Sequence, residues 1–407
     1  MLADFKARKQ HRPDYLLGLI VLILISIGMI IIYSTGSIVN FNISSGATDR
    51  NSFFNNQLIS LGVGVICWVI ASRFPYKGFK KLAPWLLGAS VIAMLLVFVP
   101  GLSGSSRGAS RWIRLGSLSF QPAEFLKLSL IISFATWADA NRENLRKFKN
   151  GFLPILGALI VTLFLTVVLQ RDMGTGVVLV FAILGAYFMS DAPLRLFSSL
   201  IASLLAGGLM LIALFPYRLA RVTTFFNHTE DPTGSGYHIN QALIALGSGG
   251  ILGRGLGNSL QSYGYLPEST NDSVYAIIGE QFGLWGTLTI IILFVILLFR
   301  FLRIIQHAPD RYARILASGL TAWLIAQAFI NIAAMLNIIP LTGIPLPFIS
   351  YGGTSLAASM IAVGIMQNIS RYTEREAEYA DRPIGRRNRR TRDADHSPEH
   401  SPAAVSA

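Results

Sequence analysis

Ten apolar runs with almost no charge, separated by short connectors in which Lys and Arg collect, constrain this chain more than any other feature. They lie near residues 15–34, 56–72, 83–99, 121–138, 152–169, 175–190, 194–215, 274–299, 312–337 and 354–370. A helix crossing a hydrocarbon core of roughly 30 Å needs about 20 mainly apolar residues, and these runs approach or exceed that length. Only 14% of the 407 residues are charged and 52% are hydrophobic, whereas a soluble chain carries roughly a quarter charged residues. The sequence therefore predicts an all-α polytopic membrane protein with about ten transmembrane helices. Tyr15 to Ser34 is too long for a signal-peptide core and lacks a small-residue cleavage site, so it reads as a mature span.

Ten spans put both termini on one side. Of the 34 Lys and Arg residues, 25 fall on that side, counting Arg195 and Arg314 at the starts of their runs with the adjoining connectors, 8 on the other, and Lys127 lies inside a span. The positive-inside rule makes the richer side cytoplasmic. The net charge of +13 is thereby explained without a nucleic-acid partner. Residues 1–14 read as a cytoplasmic segment and 15–370 as the membrane domain. Residues 371–407 are polar, mix 8 Arg with 7 acids, and read as a disordered cytoplasmic tail. Its Arg386 to Arg392 cluster suits a solvated anchor or a contact with anionic membrane lipids. A lone Cys67 excludes intramolecular disulfides and Cys-based metal sites.

The longest outer loop, residues 216–272 between spans 7 and 8, is where function is expected, because long loops without a task are uncommon. Tyr237, Ile239, Ala242, Leu243, Ile244 and Leu246 in it predict an amphipathic helix on the outer leaflet. The run Gly247, Gly249, Gly250, Gly253, Gly255, Gly257 follows no strand and lacks a Gly-Lys-Ser/Thr ending, which excludes a nucleotide loop. Close backbone packing or a re-entrant turn remains.

Charges in or beside spans are costly and mark candidate sites. Gln121-Pro122-Ala123-Glu124 opens the fourth span, with Lys127 one turn deeper. Glu124 and Lys127 share a helix face, as an internal ion pair or as the wall of a polar cavity. Arg107, Arg111 and Arg114 stand in an outer loop against the topological bias. They suit a phosphate or pyrophosphate at the outer surface, or interfacial snorkelling. Glu268 and Asp272 end the long loop, and Glu280 follows in the eighth span. Partial desolvation would lift the Asp272 pKa from about 3.9 toward the range of a general base. The same position, with Ser273 beside it, suits the N-cap of the next helix.

Four stretches read in order resemble the SEDS family (shape, elongation, division and sporulation) of peptidoglycan glycosyltransferases, the FtsW/RodA group. They are Gly108-Ala-Ser-Arg-Trp-Ile-Arg-Leu-Gly116 leading to Gln121-Pro-Ala-Glu-Phe-Leu-Lys127; Gln170-Arg-Asp-Met-Gly-Thr-Gly176; Asp231-Pro-Thr-Gly-Ser-Gly-Tyr237 through the glycines to Leu266-Pro-Glu-Ser-Thr-Asn-Asp272; and Ile339 to Ser355, rich in Pro and Gly. Residues 218–225 and 255–261 are more similar to the division branch than to the elongation branch.

The resemblance implies a ten-span fold in the bacterial plasma membrane, at the division septum. It implies polymerisation of lipid II at the outer face, with inversion at the anomeric carbon and release of undecaprenyl pyrophosphate. Asp272 then falls on the family's essential aspartate and becomes the expected base. Arg111, Gln121, Glu124, Lys127, Asp172 and Glu268 become expected substrate-binding residues. It further implies a class B penicillin-binding protein of the FtsI type as transpeptidase partner, together with other division proteins. No compact ligand cluster indicates a metal, although a divalent Mg or Mn ion fits such chemistry. Thr270-Asn271 replaces the family's usual His-Thr, Arg171 a usual Pro, and Gln281 a usual Glu. A lipid II flippase is the alternative class, but no inverted repeat with paired broken helices accompanies the chain.

Overall fold

Helices form over every one of the ten apolar runs. The computed structural model describes residues 12–43, 52–99, 103–106, 109–115, 118–226 and 235–372. The expected disordered tail beyond Tyr372, most of the N-terminal segment, and Arg107 lie outside the described residues. The helices are α1 (Tyr15–Ile43), α2 (Ser52–Arg73), α3 (Gly78–Leu96), α4 (Pro122–Ala140), α5 (Leu153–Leu163), α6 (Met173–Phe188), α7 (Leu194–Leu214), α8 (Pro216–Phe226), α9 (Ser235–Gly249), α10 (Val274–Gln306), α11 (Arg311–Met335) and α12 (Gly353–Ser370). Among the described residues, seven helical stretches are long and apolar enough to cross a membrane by length and composition. Wide π turns, Phe148–Phe152 and Phe164–Leu169, flank α5 and lengthen it at both ends.

α11 runs through the centre. Its apolar side chains Ile315, Leu316, Leu320, Trp323 and Leu324 are fully buried. It packs closely because small residues meet there: a Cβ on Gly185 would come within 2.3 Å of Ala322, and one on Gly319 within 2.7 Å of Ile131. Close backbone approach of this kind drives helix association where lipid removes the hydrophobic incentive. α7 is the opposite case, with Leu205, Leu209 and Leu214 exposed, a surface suited to lipid.

Starts of helices follow local chemistry. Pro122 sits in the first turn of α4, where its missing N–H costs nothing. Asp172 caps α6 by accepting from Thr175 N–H at 3.0 Å, and Asp310 caps α11 through Ala313 N–H at 2.9 Å. Asp14 likewise accepts from Leu17 N–H at 3.1 Å, while its own N–H donates to Ser370 Oγ at 3.1 Å. The beginning of α1 and the end of α12 therefore meet at one end of the bundle.

Two features depart from the expected all-helical chain with an amphipathic helix lying on the outer leaflet. Three short strands, β1 (Ser103–Ser106), β2 (Ala109–Leu115) and β3 (Leu118–Phe120), form a small antiparallel sheet in that order. These strands are too short and polar to give a clear alternation. The outer loop is largely structured too. α9 covers the predicted amphipathic segment, but it packs on α10, burying Ile239, Ala242 and Ala245.

The glycine run explains that packing. A Cβ on Gly249 would lie 1.9 Å from Gly279 O, and one on Gly253 2.2 Å from Gln281 O. α10 bends at Gly283, whose φ of 65° and ψ of −155° are open essentially to glycine alone. Close backbone packing is thus what Gly249 and Gly253 supply, whereas Gly250, Gly255 and Gly257 have open space or only a side chain near their Cβ positions and adopt φ of 55°, 93° and 82°.

Candidate active site

The Pro- and Gly-rich segment after α11, residues 339–352, is a hub on which the site converges at the bundle end opposite Asp14. Two amides one turn apart on α11 hold it. Gln327 Nε2 donates to Pro345 O at 2.9 Å, and Asn331 Nδ2 donates to Ile344 O at 2.7 Å. Arg221 of α8 donates to Leu341 O at 3.2 Å. α6 abuts the same segment, since a Cβ on Gly174 would stand 2.7 Å from Thr342 O.

α4 reaches the hub through a buried charge pair. Lys127 Nζ lies 2.9 Å from each Glu124 carboxylate oxygen and donates to Gln327 Oε1 at 2.9 Å. Glu124 and Lys127 are 2% and 1% exposed. Trp323 adds an indole N–H to Gln327 Oε1 at 2.8 Å and places its ring 5.0 Å from Nζ. Such burial is tolerated only because the charges are paired and further hydrogen-bonded.

Arg111, on β2, is held differently. Its Nε donates to Gln170 O at 3.2 Å and its Nη2 to Arg171 O. The π turn before Gln170 and the left-handed Arg171, φ 54°, turn those carbonyls toward the strand. Both acceptors are neutral, and no carboxylate among the described residues pairs with Arg111. Gln121 Nε2 approaches Asp172 Oδ2 at 3.5 Å, but the Asp172 carboxylate is chiefly taken up by Thr175. Of Arg114 only the strand position is described.

Asp272 is 9% exposed and closes a tight turn built around left-handed Glu268, φ 51°. Glu268 O accepts from Asn271 N–H at 2.9 Å and Ser273 N–H at 3.2 Å, and Glu268 Oε2 accepts from Asn271 Nδ2 at 2.6 Å. Asn331 Nδ2 also donates to Asp272 O at 2.7 Å, and Tyr351 N–H donates to Thr270 O at 2.9 Å. The N-cap of α10 is Ser273, whose hydroxyl donates back to Pro267 O at 2.8 Å. Asp272 thus does not occupy the cap position. Across from it, the atom nearest to a Cβ on Gly343 would be Asp272 Oδ2, at 3.6 Å, so bare backbone faces the carboxylate. Among the described residues, Asn331 Oδ1 and Thr342 Oγ1 are buried without a hydrogen-bond partner.

Glu280 is not at this centre. It is fully buried and anchors the glycine-rich segment, accepting from Ser259 Oγ at 2.5 Å and Leu260 N–H at 2.9 Å. Gln327, Asn331, Trp323 and His238 were not singled out from sequence. The two amides are polar residues spaced i,i+4 in an apolar span, a detectable signal, but a search for ionisable groups passes over them.

Residues 14–375 match the family described as Cell cycle protein, FtsW/RodA/SpoVE. Stage V sporulation protein E of Bacillus subtilis is 38% identical over 366 residues, covering 90% of this chain and 99% of that protein. The probable peptidoglycan glycosyltransferase FtsW of Trichlorobacter lovleyi is 38% identical over 362 residues, covering 88% and 93%. A solved chain from work on the structural coordination of polymerization and crosslinking by a peptidoglycan synthase complex superposes with a TM-score of 0.69. It shares 25% identity, with 88% of this chain and 98% of that chain covered. With a shared fold, near full-length coverage and its motifs gathered at one end of the bundle, the chain belongs to the FtsW/RodA/SpoVE family.

Proposed function

We propose that this chain is a peptidoglycan glycosyltransferase that polymerises lipid II into glycan strands at the outer face of the bacterial plasma membrane during cell division. The name of its relative from Trichlorobacter lovleyi supports the activity, and the synthase-complex neighbour supports a class B penicillin-binding protein as transpeptidase partner. Both termini are cytoplasmic, in keeping with the contact between Asp14 and Ser370 and the distribution of Lys and Arg. Residues 15–370 form the membrane domain, with 216–272 outside.

The observation that carries this reading is Asp272, a nearly buried carboxylate outside the cap position, facing bare backbone at Gly343. A sugar hydroxyl enters beside it. Asp272 takes the hydroxyl proton as its oxygen attacks the anomeric carbon of a second lipid II, and the bond to undecaprenyl pyrophosphate breaks with inversion. A positioned base contributes about 10²- to 10⁴-fold. Arg111, whose charge no carboxylate among the described residues offsets, stabilises the departing pyrophosphate. Lys127 is largely neutralised by Glu124, and the pair shapes the polar wall.

The test is polymerisation of labelled lipid II by purified protein, with and without the partner and Mg or Mn. Asp272→Ala should make no polymer while inserting and melting like the parent. Near-normal polymer from that variant sinks the assignment.

A further inference from the structure

His238, in the first turn of α9, stands with Nε2 2.6 Å from Ser273 Oγ. Ser273 is fully buried, and its hydroxyl has one proton and two acceptor lone pairs. Pro267 O, at 2.8 Å, can only accept, so it takes that proton. The contact with His238 then requires a hydrogen on Nε2, which fixes the imidazole as donor. Ser273 Oγ is in turn 3.5 Å from Asp272 Oδ1.

Three elements therefore grip the turn that carries Asp272. Asn331 of α11 holds the Asp272 carbonyl, Tyr351 N–H holds the Thr270 carbonyl, and His238 of α9 holds the Ser273 hydroxyl. The first two fix backbone. The third acts on the residue next to the carboxylate and closes the turn, because the hydroxyl it orients ties Ser273 to Pro267. α9 cannot drift from this position, since its far end is locked on α10 by Gly249 against Gly279 O.

We propose that His238 is a positioning residue for Asp272: by donating Nε2–H to Ser273 Oγ it fixes the orientation of the turn that presents the carboxylate. The inference rests on the reading of Asp272 as the base. A base displaced by a fraction of an ångström still sits beside bound substrate but meets the hydroxyl poorly, so the loss falls on turnover rather than on binding.

The full-length purified protein, assayed on labelled lipid II, tests this with five variants. His238→Phe keeps the ring volume without the donor, and its kcat should fall about ten- to hundredfold with KM within about twofold. His238→Gln keeps an N–H donor and should restore kcat to within about threefold of the parent. Ser273→Ala should reproduce the His238→Phe loss, and the double variant should be no worse than either single one. If His238→Phe fails to fold, the Gln and Ala variants still decide. Parental kcat in His238→Phe or in Ser273→Ala, a Gln variant as impaired as Phe, or losses that multiply in the double variant would overturn the proposal. Asp272→Asn separates the two readings. Its activity would overturn the base assignment and this inference together, whereas an inactive Asp272→Asn beside a fully active His238→Phe would overturn this inference alone.

Discussion

Lys127 Nζ lies 2.9 Å from Gln327 Oε1 and so binds α4 to α11 in the middle of the polar cluster. Removing the lysine leaves Glu124 buried and uncompensated, a loss of about 3–5 kcal/mol. Lys127→Met should therefore lower the melting temperature sharply in detergent. Glu124→Gln with Lys127→Met should recover most of that stability, because two neutral side chains replace the pair. Polymerisation should not recover with it, and a double variant with parental activity would reduce the pair to a structural role.

Asn331 serves two carbonyls at once, those of Asp272 and Ile344. Asn331→Leu orphans both, at about 1–3 kcal/mol for each buried acceptor. The protein should remain folded with a lowered melting point, and its glycan synthesis should fall well below the parent's. Asn331→Leu with unchanged synthesis would show that the link between α11 and the Asp272 turn does not matter for chemistry.

How much of this was legible in the sequence follows from the range of each interaction. Helix positions are set by local apolar length, and residues 15–34 or 312–337 declare themselves without neighbours. Glu124 and Lys127 were readable because a charge in an apolar run is costly wherever the run packs. The convergence of α4, α6, α8 and the Asp272 turn on residues 339–352 was not, since it depends on contacts between residues up to about two hundred positions apart, as with Lys127 and Gln327. The cap reading of Asp272 illustrates the limit. Asp272 and Ser273 are equally good caps by type, and only the first backbone bonds of α10, from Ala276 N–H and Ile277 N–H to Ser273 O, place the cap at Ser273.

Glu280 gives a prediction outside the catalytic cluster. Its carboxylate holds Ser259 Oγ, Leu260 N–H and Gln261 N–H. Glu280→Ala removes the acceptor from all three, so amide exchange at residues 260–262 should accelerate by orders of magnitude while exchange in α11 stays slow. Uniform acceleration across the bundle would instead make Glu280 part of the global core.

The bend in α10 makes the sharpest stability contrast. At Gly283 the backbone occupies φ 65° and ψ −155°, and an added Cβ would lie 2.5 Å from Gly253 N and 2.6 Å from Ile251 O. Both neighbours are main chain and cannot rotate aside. Gly283→Ala must therefore straighten α10 or push the glycine-rich segment off it, at a cost of at least about 1–3 kcal/mol from backbone strain alone. Gly88 in α3 is the control: nothing lies within 4 Å of its Cβ position, its conformation is helical, and Gly88→Ala should be neutral or stabilising by up to about 1 kcal/mol. Thermal melting of the two variants in the same detergent measures the difference. Gly283→Ala should also lose polymerisation, since the segment it displaces is continuous with the turn at Glu268 and Asp272. Equal melting temperatures for the two variants would mean that the bend relaxes freely and does not hold the site.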